Sequence, residues 1–144
     1  MKICILNENN TSLPLLFRES FNIECFFIDV LKALDKNIRF LCAMDNDRVV
    51  GSIMITTKYD PVKDINSYYL DYVSVLKEYQ QQGIGSRMLR EVENIAKKEN
   101  ISYIEFTSNK DRINARKLYL SSGYNQRDTG VFYKKIDRGN YEDI

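Results

Sequence analysis

The sequence predicts a mixed α/β fold, one sheet of parallel and antiparallel strands covered by helices. Two observations predict it. A stretch rich in aromatic and β-branched residues, Tyr68 to Leu76, precedes a helix-periodic stretch from about Gly85 to Glu99, and a further strand follows at Tyr103 to Thr107. That strand–helix–strand unit implies a parallel pair. Hairpins are predicted on both sides of it, and these imply antiparallel pairs.

In chain order, Ile3 to Leu6 reads as a first strand, broken by NENNTS. Leu13 to Phe21 and Glu24 to Leu34 carry helical spacing; Pro14 suits a first turn, and Phe27, Leu31 and Leu34 fall at i, i+4 and i+7. Phe40 to Met44 and Val49 to Thr57 are strands around the turn at Asp45 to Asp47, and Asp60-Pro61 ends that hairpin. In the long helix Ile84, Met88, Leu89, Val92, Ile95 and Ala96 form one apolar face, and Asn100 is its stop. Ile113 to Ser121 is a short helix closed by Gly123. A last hairpin pairs Tyr124 to Arg127 with Val131 to Lys135 around Asp128-Thr129-Gly130. The order is β-α-α-β-β-β-α-β-α-β-β. With no repeat or linker, residues 1–144 are expected to form a single domain.

Bulk composition excludes several function classes. The formal net charge of +1 gives no basic stripe for nucleic acid. No apolar run reaches the roughly 20 residues of a membrane span, and the first apolar stretch is too short for a signal peptide. The chain has no histidine, which removes His-based triads, His metal sites and the usual base near neutral pH. Three cysteines, Cys4, Cys25 and Cys42, make an odd count without a C-x-x-C pair. They argue against a disulfide framework or a zinc site, and for a reducing, cytoplasmic setting. Cys25 as a nucleophile lacks the usual histidine partner; a buried or inert thiol is the ordinary reading.

The segment YQQQGIGSRML, Tyr79 to Leu89, carries the chemistry. Its glycines permit positive φ and remove side chains from the approach of an anion to a helix N-terminus, where unpaired N–H groups and a positive dipole end meet it. A Walker A loop needs a lysine after the second glycine, and none is there. A dinucleotide turn needs a third glycine, where Met88 stands; Glu105 is 20 residues past Gly85 but inside a strand, and seven residues separate Val75 from Gly83. A plain strand–helix turn that uses glycine for geometry alone is the structural alternative.

Gln80, Gly83 and Gly85 match Q-x-x-G-x-G, and the surrounding VSVLKEYQQQGIGSRML resembles motif A of the GNAT acetyltransferases. Downstream, NARKLYLSSGY matches that family's A-x-x-x-Y-x-x-x-G-[FY] on Ala115, Tyr119, Gly123 and Tyr124. The resemblance covers Asp71 to Tyr124. It implies a GNAT-like domain with a splayed central sheet, and acetyl transfer from acetyl-CoA to a primary amine by direct attack, without a metal. It places the cofactor pyrophosphate on Gln80, Gln81, Gln82, Gly83, Ile84, Gly85 and Ser86. The pantetheine arm lies along Val73, Ser74 and Val75, with Asn109, Arg112, Ala115 and Tyr119 as further contacts. The family often has asparagine where Arg112 stands, so Arg112 meets either a CoA phosphate or solvent. Arg87, Arg90 or Arg112 would supply the positive charge that the glutamine-rich loop lacks.

In the family the Tyr119 position donates a proton to the departing thiolate. A phenol near pKa 10 and a thiol near 8.5 make full transfer uphill by about 2 kcal/mol, so hydrogen-bond stabilisation is favoured. A packed core tyrosine is the bland reading. Asp71 is the candidate base, on the same side as Val73 and Val75 if its strand is regular; a bulge would break that parity. Glu24 and Glu105 are alternatives, and a surface aspartate is the bland reading. Thr107 stands where the family often has a glutamate. The acceptor, an amine-bearing small molecule or peptide, is expected beside Phe21 to Phe27, Tyr59, Tyr68, Tyr69, Phe132 and Tyr133. A monomer or homodimer is expected. The alternative function is a catalytically silent CoA-binding module.

Overall fold

The computed structural model describes residues 1–137 and 139. Five strands form one sheet in sequence order: β1 (Lys2–Ile5), β2 (Ile38–Asp45), β3 (Arg48–Asp60), β4 (Ile65–Val75) and β5 (Tyr103–Glu105). All neighbours are antiparallel except β4 and β5, which are parallel. Among the described residues the α-helices are α1 (Ser12–Phe21), α2 (Val30–Asp35), α3 (Ile84–Lys98) and α4 (Ile113–Ser121). The predicted order of elements therefore holds from β1 through α4.

Local chemistry sets the boundaries. Leu13, Leu16 and Phe17 of α1 are buried at i, i+3 and i+4, and the left-handed Asn22 ends the helix, its N–H donating to the Arg18 carbonyl. The β2–β3 hairpin turns on Asn46 and Asp47, with Asn46 at φ 54°. At the β3–β4 turn the Asp60 Oδ1 accepts from the Val62 and Lys63 amides. Gly123 closes α4 at φ 92°.

Two expectations need correction. The second helix was expected from Glu24, but α2 begins at Val30. Asp29 has extended backbone and its carboxylate accepts the Lys32 amide, so it caps the helix and stops extension toward the N-terminus. Phe27 and Leu31 are exposed, and Val30 turns inward instead. The final hairpin does not form: residues 124–137 contain no strand.

Register places α1 and α3 on opposite faces. Phe17 of α1 packs on Phe40, whose partner in β3 is Met54. Met88 of α3 lies against Gly51, an odd number of residues from Met54 and so on the other face. Tyr68 belongs to the α3 face. It is 0% exposed, and its hydroxyl accepts from Arg39 Nη2 at 2.8 Å and donates to the Glu99 carboxylate at the end of α3. Tyr68 is therefore core and does not line an acceptor site. Among the described residues no helix is long and apolar enough to cross a membrane.

Candidate active site

The parallel ladder between β4 and β5 is short. It pairs Ser67, Tyr68 and Tyr69 with Tyr103, Ile104 and Glu105, and then stops. The Tyr69 hydroxyl and Thr107 Oγ1, 3.2 Å apart, make the last link. Beyond it β4 runs on to Val75 with, among the described residues, no strand on its β5 side, so the sheet opens there as a slit.

A bulge bends β4 at this opening. Ser52 pairs with Ser74 but Met54 pairs with Asp71, so Tyr72 and Val73 together face Ile53. Tyr72 takes a left-handed φ of 50° and packs on Phe17 and Phe21 of α1. The bulge breaks the expected parity. Asp71 shares a side with Ser74 and Met54, on the α1 face, and not with Val73 and Val75. It is half-buried, and that burial raises its carboxyl pKa above the ordinary value.

At the mouth of the slit the loop is braced from within. The Gln80 side chain donates to the Val75 carbonyl at 3.0 Å, and that of Gln82 to the Glu78 carbonyl at 3.3 Å. A 3₁₀ turn at Lys77–Tyr79 is tied down where the Tyr79 hydroxyl donates to Asp45 at 2.6 Å. The side chains of Gln80 and Gln82 thus hold the loop's shape. Gln81 and Gly83 adopt φ of 62° and 79°. Among the described residues no side chain caps α3, so the first-turn amides at Ile84, Gly85 and Ser86 point forward without such a partner.

The two glycines do different work. A Cβ on Gly83 would meet nothing within 4 Å, so space stands open in front of this positive-φ residue. Gly85 lies inside the helix, and a Cβ there would come 2.9 Å from Leu118 Cδ2. Its missing side chain lets α4 approach α3, and the expectation that Gly85 adopts positive φ is corrected.

Across the slit, α4 brings Tyr119 inward. Its ring is buried edge-on to Phe106, with centroids 4.5 Å apart. Burial raises the phenol's pKa, and the charge of Arg112 pulls it partly back. Arg112 itself is exposed, its guanidinium 5.4 Å from the Phe21 ring centroid. Asn109 is also exposed, and its carbonyl accepts the Arg112 amide. Ala115 packs against the core. Val73 and Val75 are half-buried and Ser74 is buried.

Of the other candidate bases, Glu105 pairs with Arg127 at 3.0 Å and Glu24 lies exposed in the α1–α2 connection. Phe132 and Tyr133 point into solvent. Three features were not read from the sequence. Tyr72 carries the bulge, though nothing in its composition marks a left-handed residue. Ser108 Oγ and the Tyr124 hydroxyl are buried with no hydrogen-bond partner among the described residues. Burial, with the charge of Glu93 adding to it, pushes Tyr124 up to about 12. A cavity of about 630 Å³ borders Tyr69, Thr107 and Tyr119. Among the described residues no group of three or more His, Cys, Asp or Glu side chains is arranged to hold a metal ion.

A profile of the acetyltransferase (GNAT) family matches residues 5–124, and the chain belongs to this family. Solved structures agree in fold. An aminoglycoside acetyltransferase from an uncultured soil metagenomic sample, in complex with trehalose, superposes with a TM-score of 0.82 at 20% identity, over 94% of this chain and 96% of that one. The ribosomal-protein-alanine N-acetyltransferase of Brucella melitensis biovar Abortus 2308 gives 0.75 at 16% identity, over 94% and 100%. An acetyltransferase of Trypanosoma brucei gives 0.75 at 14%, over 93% and 99%. The curated proteins give no sequence match.

Proposed function

We propose that this chain, acting as one domain, moves an acetyl group from acetyl-CoA to a primary amine by direct attack. The observation that carries this reading is the slit: β4 separates from β5 after Tyr69, with the uncapped N-terminus of α3 at its mouth. The residues fit the group. The open space before Gly83 and the forward-pointing amides of α3 suit a pyrophosphate. The free edge of Val73, Ser74 and Val75 suits a pantetheine arm, and a backbone N–H there would polarise the thioester carbonyl. Bound acetyl-CoA supplies the activated acyl group and a thiolate leaving group.

Tyr119 acts as a hydrogen-bond donor to the sulfur. Its raised pKa makes full proton transfer uphill by at least about 2 kcal/mol, so it steadies the thiolate without fully protonating it. Asp71 accepts the proton of the incoming ammonium, and its raised pKa strengthens it for this role. Arg112, beside Tyr119, favours the developing negative charge.

The acceptor is an amine-bearing small molecule or peptide. Two solved relatives in fold are described as acting on an aminoglycoside and on a ribosomal-protein alanine, which spans that range. The three free cysteines suit a reducing compartment, the cytoplasm.

Calorimetry with acetyl-CoA, ATP and NAD is the first test, and acetyl-CoA is expected to bind tightest. Thiol release is then followed over a panel of aminoglycosides, polyamines and peptide N-termini. ATP or NAD binding best would overturn the donor assignment. Tight acetyl-CoA binding with no turnover on any amine would leave a silent CoA-binding module.

A further inference from the structure

β1 and β2 set two of the three cysteines side by side. Their register pairs Cys4 directly with Cys42, so both thiols rise from one face of the sheet, the α1 face that Phe40 shares. Two residues along, the Leu6 amide donates to the Phe40 carbonyl at 3.0 Å. Bonded and non-bonded pairs alternate along an antiparallel ladder, so Cys4 and Cys42 are also a hydrogen-bonded pair, with Cα atoms about 5.5 Å apart. A disulfide spans Cα separations of about 4.4–6.8 Å. The Cβ atoms of such a pair stand about 5 Å apart and a disulfide draws them to about 4 Å, so one strand must shift inward. β1 is free to do so. It is four residues long, and among the described residues it pairs only with β2.

The two thiols differ in access. Cys4 is half-buried at the sheet's edge. Cys42 is 0% exposed, and its Sγ donates to Ser52 Oγ at 3.5 Å. Burial, partly offset by that hydrogen bond and reinforced by the neighbouring Cys4, pushes the Cys42 thiol up to about 12. Cys42 therefore stays protonated and shielded, while Cys4 is open to a small reagent. A reachable thiol beside a sequestered one gives an oxidation site with its resolving partner already in place.

We propose that Cys4 and Cys42 are a modification site, closing to a reversible disulfide in the presence of hydrogen peroxide. The Cys4 thiolate attacks one peroxide oxygen. The O–O bond breaks, the departing hydroxide takes up a proton as water, and Cys4 becomes a sulfenic acid. The Cys42 sulfur then attacks the Cys4 sulfur. The S–O bond breaks, and the hydroxyl leaves as water with the Cys42 proton. Two thiols are oxidised to one disulfide, and one peroxide is reduced to two waters. The bond is a labile one. It takes the S–H donor away from Ser52, whose hydroxyl is 0% exposed, and it displaces β1. Both costs favour reduction, so the dithiol returns once the peroxide is gone.

Peptide mapping of the folded full chain tests this without reference to catalysis. Trypsin cleaves after lysine and arginine, which leaves the three cysteines on separate peptides, 3–18, 19–32 and 40–48. After hydrogen peroxide and capping of the remaining thiols, peptide 3–18 is expected to be joined to peptide 40–48. Dithiothreitol is expected to return both as free thiols. In Cys4→Ser, Cys42 should stay a free thiol at the same peroxide dose, with the circular dichroism spectrum unchanged. Oxygen added to Cys4 while Cys42 remains free in the parent chain overturns the proposal. A bond from Cys4 to Cys25, or one between two chains, does so as well. Oxidation of Cys42 in a folded Cys4→Ser chain excludes Cys4 as the point of entry.

Discussion

The ring of Phe106 stands edge-on to the ring of Tyr119, 4.5 Å between centroids, and this contact fixes the phenol of α4 against the end of β5. The packing belongs to the ring and the chemistry to the hydroxyl. Tyr119→Phe therefore keeps the contact and removes only the donor. A hydrogen bond to a charged sulfur is worth about 1.5–3 kcal/mol, so kcat should fall roughly 10- to 100-fold. KM for acetyl-CoA should stay near its original value. Steady-state kinetics separates the two, and an unchanged kcat removes Tyr119 from the mechanism.

Asp71→Asn should act in opposite directions on rate and stability. Losing the base should lower kcat about 100-fold. The folded state holds this carboxyl at a raised pKa because burial disfavours its charge. Its ionisation therefore costs stability as pH rises through the interval from the unfolded to the folded pKa, and the cost persists above it. Replacing it with the neutral amide should leave the melting temperature at pH 7 equal or higher. A lower melting temperature would mean that Asp71 is a structural carboxylate.

The two loop glycines should respond differently to alanine. Gly83→Ala places a side chain at φ 79°, at a cost of about 1 kcal/mol, and intrudes on the open space before α3. Weaker acetyl-CoA binding is expected by calorimetry. Gly85→Ala adds helix propensity but pushes on Leu118, next to Tyr119. Its effect should appear in kcat more than in affinity.

Glu99 joins Arg39 and Tyr68 at the far end of α3. The Arg39 hydrogen bonds hold its carboxyl below the ordinary range. A lowered folded pKa contributes stability above the unfolded value, lost as pH falls through the folded one. Glu99→Gln should cost about 1 kcal/mol at pH 7, since the pair is partly solvent-screened. The difference from the parent should vanish below the folded pKa, as thermal melts across acid pH would reveal.

The sequence was most legible where local pattern and tertiary need agree. The apolar face of α3 is buried at Ile84, Met88, Leu89, Val92 and Ala96 as its spacing predicts. The motif residues likewise mark the helix terminus and Tyr119. Helical spacing misled at Phe27, because Asp29 caps α2 between Phe27 and Leu31, so only Leu31 and Leu34 of that spacing are helical, and Leu31 faces outward. The last two strands were legible as strand formers, but a strand forms only beside an edge, and that partner is not encoded locally. A motif likewise does not show that Gly85 sits in the first turn of α3 against Leu118 and not at positive φ. The bulge at Tyr72 was hidden for the plainest reason: a left-handed tyrosine, held by Phe17 and Phe21, is a tertiary event.

That bulge has a consequence for how variants of this chain are interpreted. Tyr72 is the one residue by which β4 outnumbers β3 between Ser74 and Asp71. Loss of its codon would leave the two strands in even register and straighten β4 against its neighbour. Such an in-frame deletion is expected to lower turnover by straightening the slit, and stability by removing the packing of Tyr72 on Phe17 and Phe21.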